Sequence, residues 1–333
     1  MNKSTSVTPV TIAGTGSYLP EKILTNDDLA KIVDTSDEWI TSRTGIKERR
    51  IAADDEFTSD MATKAAEHAM DQAGITAEEV ELIIVATITP DTPTPATACY
   101  VQMKLGAHSA VAFDISAACS GFLYAMKLAK RLISDGAYKN ALIIGAEKLS
   151  SVTNWEDRNT CVLFGDGAGA AVLRRSEEGE GRILATEMGT DGRYTQLLDI
   201  KGGGSACPIT HANVDEHLHT LSMQGREIFK LAVNAMRNAS ETVIERAGLT
   251  PEDIKLVVPH QANLRIIDAI ADRLAVPNEK VFVNLHKYGN TSAAAVAIAL
   301  DEAHREGRFE RGDNIILVAF GAGLTWAATA IEW

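Results

Sequence analysis

"AGITAEEVELIIVA" (residues 73–86) and "AGLTPEDIKLVVPH" (residues 247–260) are two copies of one pattern, 247 − 73 = 174 residues apart. Ala, Gly, Thr, Glu and Leu recur at matched positions. Ile75/Leu249, Glu79/Asp253 and Val80/Ile254 differ conservatively. Each copy reads as a helix closed by Gly, a Thr-capped turn with acids behind it, and then a buried strand. The same offset pairs "NALIIGAEK" (140–148) with "NIILVAFGAG" (314–323), and the helix that starts near Cys119 with "NTSAAAVAIALDEAHREG" (290–307). Three blocks in one order predict a duplicated α/β chain whose apolar strands form a parallel sheet covered on both faces. The polar, Gly-rich "RRSEEGEGR" (174–182) marks the join, giving halves of 1–178 and 179–333. Helical spacing of Phe122, Ala125, Met126, Ala129 and Ile133, and the run of alanines 293–295 and 297, predict that the two duplicated helices pack together at the centre.

Composition bounds the function. At 333 residues with 45% apolar and 23% charged residues the chain is an ordinary folded protein. Its longest apolar runs, such as "SAAAVAIAL" (292–300), are shorter than the roughly 18–20 residues that span a bilayer, and "MNKSTSVT" has no apolar signal region. A cytoplasmic location is expected. A net charge of −13 argues against nucleic acid and anionic membrane as partners, and an acidic partner would need a local basic patch. Cys99, Cys119, Cys161 and Cys207 form neither a disulfide framework nor a C-x-x-C pair. "GTGSYLP" (14–20) lacks the third glycine of a dinucleotide fingerprint, and "FGDGAGAAVL" (164–173) lacks the Lys-Ser/Thr of a phosphate loop. His211, His217 and His219 lack the carboxylate spacing of a metal site, so none is expected.

Cys119, in "VAFDISAACSGFLYAMKLAK" (111–130), follows a strand-like run and opens a helix. Read alone it fits a packed small residue as well as a nucleophile. Unpaired amides at a helix start would favour a thiolate and lower its pKa, and Gly121 would leave the sulfur accessible. His260 ends the second copy's strand, at the carboxyl edge where α/β sites lie, although a satisfied core histidine is the plain alternative. Asn290 in "KYGNTSAAA" (287–295) is either a helix N-cap or a third member, because the offset pairs its junction with that of Cys119. The repeat therefore places Cys119, His260 and Asn290 around one point. Trp39 reads as core or as a platform for a flat ligand beside Arg43, and Arg158 as a solvated charge.

The motifs "ISAACSGFLYA" (115–125), "VPHQANLRI" (258–266) and "YGNTSAA" (288–294) together resemble the condensing enzymes of the thiolase superfamily. More narrowly the chain is similar to the β-ketoacyl-acyl-carrier-protein synthase III family. The likeness runs from "GTGSYLPEKILTNDDL" (14–29) through "DTSDEWITSRTGIKERRIA" (34–52) to "FGAGLTW" (320–326). It implies a thiolase-like fold, a duplicated five-layered α/β/α/β/α arrangement. It also implies a homodimeric acyltransferase that condenses an acyl-CoA primer with malonyl-acyl-carrier protein in the first step of type II fatty-acid synthesis. CoA is then a substrate carrier, and no cofactor is implied. Asn290 in the third position departs from elongating synthases, which carry a second His, and "VAFGAGLTWAATAIEW" (318–333) lacks the second Cys of degradative thiolases. The resemblance makes Cys119 the acyl acceptor and makes His260 and Asn290 the donors to the malonyl thioester oxygen. It puts the backbone amides of Cys119 and Ala322 in the oxyanion hole. Trp39 and Arg158 would sandwich the CoA adenine, with Thr35 and Arg43 nearby and Asn263 on the pantetheine arm. Arg265, Lys230 and Arg273 would receive the acidic carrier protein. Thr94, where some relatives carry a bulky aromatic that reaches across the dimer, would leave room for longer or branched primers. A relative from secondary metabolism, serving alkylquinolone or polyketide starters, and a non-catalytic acyl-binding homologue are the alternative readings.

Overall fold

The computed structural model describes residues 8–333. Nine strands build two stacked sheets. The first half supplies β1 (Val10–Tyr18), β2 (Leu82–Ala86), β3 (Val111–Ile115), β4 (Asn140–Glu147) and β5 (Gly167–Arg175), in the spatial order β1-β5-β4-β2-β3. The second supplies β6 (Arg182–Thr190), β7 (Ile254–Pro259), β8 (Asn314–Gly321) and β9 (Thr325–Glu332), in the order β7-β8-β9-β6. The two orders are one order. β6 takes the place of β1, β9 of β5, β8 of β4 and β7 of β2. The place of β3 is held by an isolated bridge between Val257 and Val281.

The sheets are mixed rather than parallel, which corrects the expectation from uniformly apolar strands. β2 runs parallel to β3 and β4, and β7 parallel to β8, but β1, β5, β6 and β9 all pair antiparallel. β2, β4, β5, β8 and β9 read as largely apolar because they are buried on both faces, and that burial removes the polar alternation whatever the direction.

The helices that matter to the site are α1 (Asp37–Thr44), α2 (Thr58–Ala73), α3 (Thr97–Leu105), α4 (Gly121–Ser134), α5 (Gly225–Ala247), α6 (Leu264–Arg273) and α7 (Ala295–Arg305). α2 and α3 cover the outside of the first sheet, and α5 and α6 the outside of the second. α4 and α7 lie between the sheets, so the layers run α/β/α/β/α. Phe122, Ala125, Met126, Ala129 and Ile133 of α4 are buried, as their spacing predicts, in one cluster with Val296, Ala297 and Leu300 of α7. Because this cluster also takes in residues from both sheets, the halves share a core. Residues 176–181 connect β5 to β6.

The offset of 174 is kept with residue accuracy around the centre. α4 starts at 121 and α7 at 295. A single 3₁₀ turn precedes each, Ala118–Ser120 and Ser292–Ala294. Ala118 (φ 46°) and Ser292 (φ 48°) both hold the left-handed conformation that non-glycine residues seldom adopt. Two sharp elbows thus face each other at the sheet edges.

Candidate active site

The first elbow buries Cys119, 7% exposed, between the halves. Thr325 Oγ1, at the start of β9, donates a hydrogen bond of 2.9 Å to the carbonyl of Ala117, so the second half holds the first half's turn. Gly321, the last residue of β8, lies against the same turn. A Cβ there would sit 2.6 Å from the Cys119 nitrogen and 3.1 Å from its Cβ. Only glycine leaves space for another atom beside the Cys119 amide.

His260 (3% exposed) directly follows β7, and its backbone N–H donates to Val318 of β8 at 2.7 Å. Gln261 fixes the turn after it: its side-chain N–H₂ donates to Pro259 and Phe282 carbonyls at 2.8 and 3.1 Å, and its oxygen accepts from the Asn284 and Leu285 amides. His260 Nδ1 is buried without a hydrogen-bond partner. Asn290 (8% exposed) is held by its backbone, with N–H donating to Leu163 at 2.8 Å and C=O accepting from Gly165 at 3.1 Å. Its side-chain oxygen accepts from the Ser292 N–H at 2.9 Å, which turns the amide nitrogen away from that turn. Cys119, His260 and Asn290 all line one cavity of about 730 Å³ including its open mouth. The fold therefore brings together the three residues that the repeat had placed around one point.

Burial sets their charge states. Desolvation pushes the Cys119 thiol up to about 12, with the carboxyl of Glu147 adding to the rise and the Ser292 hydroxyl opposing it. This reverses the expected lowering: one turn of helix start cannot offset complete burial of the sulfur. Desolvation likewise holds His260 down at about 4, so the imidazole is neutral. Burial thus favours the neutral thiol and the neutral imidazole in the one cavity that both line.

Apart from Asn263, the remaining wall is apolar. Leu198, Met223, Ile228, Phe229, Ala232 and Met236 line the cavity, mainly from one face of α5. Sequence reading marked Lys230 on this helix but missed its apolar face as a substrate wall. The helical periodicity was available, but it reads the same for a face that packs against protein. Glu147, Ser292 and Gly321 were also missed. Glu147 looks like a charge ending a strand, yet it is fully buried.

At the mouth, α1 meets the start of α6. Asn263 caps α6, accepting from the Arg265 N–H at 2.9 Å, and donates from its side chain to the Arg43 carbonyl at 3.1 Å. The Arg265 guanidinium donates to the Ser42 carbonyl at 3.0 Å. The guanidinium carbons of Arg43 and Arg158 lie 4.5 and 5.1 Å from the centre of the Trp39 ring. Arg158 stacks on Trp39 itself, so the expected sandwich needs Arg158 to move outward before a base can enter. Thr35 Oγ1 is buried nearby without a partner. Arg265, Lys230 and Arg273 are exposed. Ala322 is half-buried and does not line the cavity; Gly321 is the residue of that loop that abuts Cys119. Thr94 is exposed and lies outside the cavity of a single chain. The rings of His217 and His219 are 6.2 Å apart, but no cluster of three or more metal-ligating side chains occurs among the described residues.

Two family models match the chain: 3-oxoacyl-[acyl-carrier-protein] synthase III at residues 113–192 and its C-terminal region at residues 244–333. A β-ketoacyl-[acyl-carrier-protein] synthase III of Caldanaerobacter subterraneus subsp. tengcongensis is 59% identical over 322 residues, 97% of each chain. The chain belongs to the β-ketoacyl-[acyl-carrier-protein] synthase III family. One from Clostridioides difficile is 53% identical over 322 residues, covering 97% of this chain and 98% of the other. The crystal structure of 3-oxoacyl-[acyl-carrier-protein] synthase III from Aquifex aeolicus VF5 superposes with a TM-score of 0.90 at 53% identity, over 97% of this chain and all of that one. The chain is thus a condensing acyltransferase with the thiolase-like fold, and its reaction is the initiating condensation of fatty-acid synthesis. The secondary-metabolism and non-catalytic readings are not favoured. Among the described residues no helix is long and apolar enough to cross a membrane.

Proposed function

We propose that the cavity runs a two-stage reaction with its roles divided between the halves. In the first stage the Cys119 sulfur attacks the thioester carbonyl of an acyl-CoA. A new S–C bond forms, the bond to CoA sulfur breaks, and the thiol proton leaves with CoA. Neutral His260 can take up that proton and pass it on, since an unprotonated ring nitrogen is an acceptor. The Cys119 amide, beside the space kept open by Gly321, faces the oxygen on which charge develops; the Ala322 amide is the expected second donor.

In the second stage malonyl-acyl-carrier protein enters, loses CO₂, and leaves an enolate whose carbon attacks the Cys119 thioester. The C–C bond forms as the sulfur departs. Asn290, neutral at every working pH and with its oxygen already held by Ser292, keeps its N–H₂ for the enolate oxygen, and a neutral His260 supplies one further N–H. The observation that carries this assignment is the convergence of Cys119, His260 and Asn290 on one cavity whose remaining wall, Asn263 apart, is apolar. The experiment is C119A with acyl-CoA and malonyl-carrier protein: condensation should vanish, and undiminished condensation would overturn the scheme.

Acyl-CoA is proposed to enter along Trp39, Arg43, Arg158 and Asn263, with Thr35 beside them. No metal or separate cofactor takes part in either stage. Arg265, Lys230 and Arg273 are proposed to receive the acidic carrier protein. Arg265 and Lys230 each neighbour a residue that lines the cavity, Ile266 and Phe229. Such pairing overcomes the chain's net negative charge only locally and weakens with salt. A homodimer is supported by β3, the edge strand of the first sheet, where Val111 is 48% exposed; an uncovered edge is a ready pairing surface. Thr94 would then face the partner's cavity, and we expect branched or longer primers to be turned over faster than acetyl-CoA. We place the enzyme in the cytoplasm.

A further inference from the structure

The duplication predicts a second copy of the catalytic cluster, related by the offset of 174, and the structure shows what fills it. The catalytic cluster consists of the first elbow with Cys119, the end of β8 at Gly321, and the residue after β7, His260. Its counterpart consists of the second elbow with Ser292, the end of β4 at Glu147, and the residues at and after the end of β2. Where Gly321 leaves the first elbow open, Glu147 closes the second. One Glu147 oxygen accepts from the Ser292 hydroxyl at 3.0 Å. The other accepts from the Thr87 hydroxyl at 3.1 Å, the Ile88 and Thr89 amides at 3.1 and 3.2 Å, and the Thr89 hydroxyl at 2.6 Å. The carboxyl is completely buried, does not line the cavity that holds Cys119, and forms no ion pair with a basic side chain among the described residues. A buried acid held by five donors is costly unless the arrangement it fixes is needed.

We propose that Glu147 is a positioning residue for the condensation stage. By clamping Ser292 it holds the elbow whose backbone N–H binds the Asn290 side-chain oxygen, and so keeps the Asn290 N–H₂ aimed at the substrate. The inference rests on the role given to Asn290 above. It also has a signature that general disruption of the fold lacks. Burial raises the Glu147 carboxyl above its usual range, and the clamp serves Asn290, so loosening it slows the second stage while the first keeps its rate.

The test is E147Q, nearly the same shape without the charge, together with N290A and the double variant. The readouts are the rate of Cys119 acylation by acyl-CoA and the rate of condensation with malonyl-carrier protein. Condensation should fall about tenfold in E147Q, the scale of a loosened catalytic geometry. Acylation should be no slower than in the parent, and E147Q should cost less than about twofold more in the N290A background. T89V, which removes the 2.6 Å hydrogen bond to Glu147 without touching the cavity, should show a smaller loss of the same selective kind. If E147Q fails to fold, T89V decides. Equal loss of both stages, full additivity with N290A, or unchanged condensation would each overturn the proposal. If N290A itself condensed normally, the role of Asn290 would fall and take this inference with it. Normal condensation in E147Q alongside a defective N290A would refute only the clamp.

Discussion

The elbows at Ala118–Ser120 and Ser292–Ala294 share a backbone conformation, a position ahead of a central helix and a place between two sheets, yet they do different things. One presents a sulfur to an open cavity. The other is plugged by a carboxyl and presents the amide that orients Asn290 and the Ser292 hydroxyl that opposes the rise at Cys119. They differ at two places: the first elbow carries Cys119 where the second carries Ala293, and the opposite strand lays Gly321 against the first and Glu147 against the second. The cysteine makes one elbow reactive, and the residue at the strand end leaves it open while closing the other.

The largest expected effect comes from removing the feature that only one elbow has. C119A should lower condensation at least about a thousandfold, since no other group can hold the acyl chain; steady-state turnover of purified protein checks this. Next is the opening beside that elbow. In G321A the new Cβ would meet the Cys119 amide and Cβ, so the turn must shift, and acylation should slow about a hundredfold. Single-turnover acylation measures it, and a rate within twofold of the parent would mean that the two elbows do not differ in the way described. Third is the charge state of the open elbow. With the thiol near 12, the thiolate fraction rises about tenfold per pH unit through neutrality, so alkylation of Cys119 by iodoacetamide should climb without a plateau from about pH 6 to pH 10. A plateau above pH 7 would show an activated thiolate and restore the simpler expectation from a helix start. The smallest effect lies at the mouth, remote from both elbows. W39A should raise KM for acyl-CoA about tenfold with kcat unchanged, as expected for loss of a stacking surface.

The duplication, the central helices and the three catalytic positions were legible in the sequence because they depend on periodicity and on residues repeated at a fixed offset. Strand direction was not, since burial on both faces erases the pattern that distinguishes parallel from antiparallel neighbours. The raised thiol pKa was missed because helix position is written in the sequence but depth of burial is not. Glu147 was hidden for a related reason. In "NALIIGAEK" it ends a strand and precedes a lysine, which reads as a solvated charge, and nothing local says that Thr87, Thr89 and Ser292 will close around it. Gly321 stood in a glycine-rich loop where any of three residues could have been the one against the sulfur.

The division of labour between the elbows is tested most directly by the intact mass of the N290A protein after exposure to acyl-CoA alone. One acyl group per chain is expected, located on the peptide that contains Cys119, formed at the parent's rate and followed by sharply slowed condensation when malonyl-carrier protein is added. An unacylated N290A protein, or an acyl group on any other residue, would contradict it.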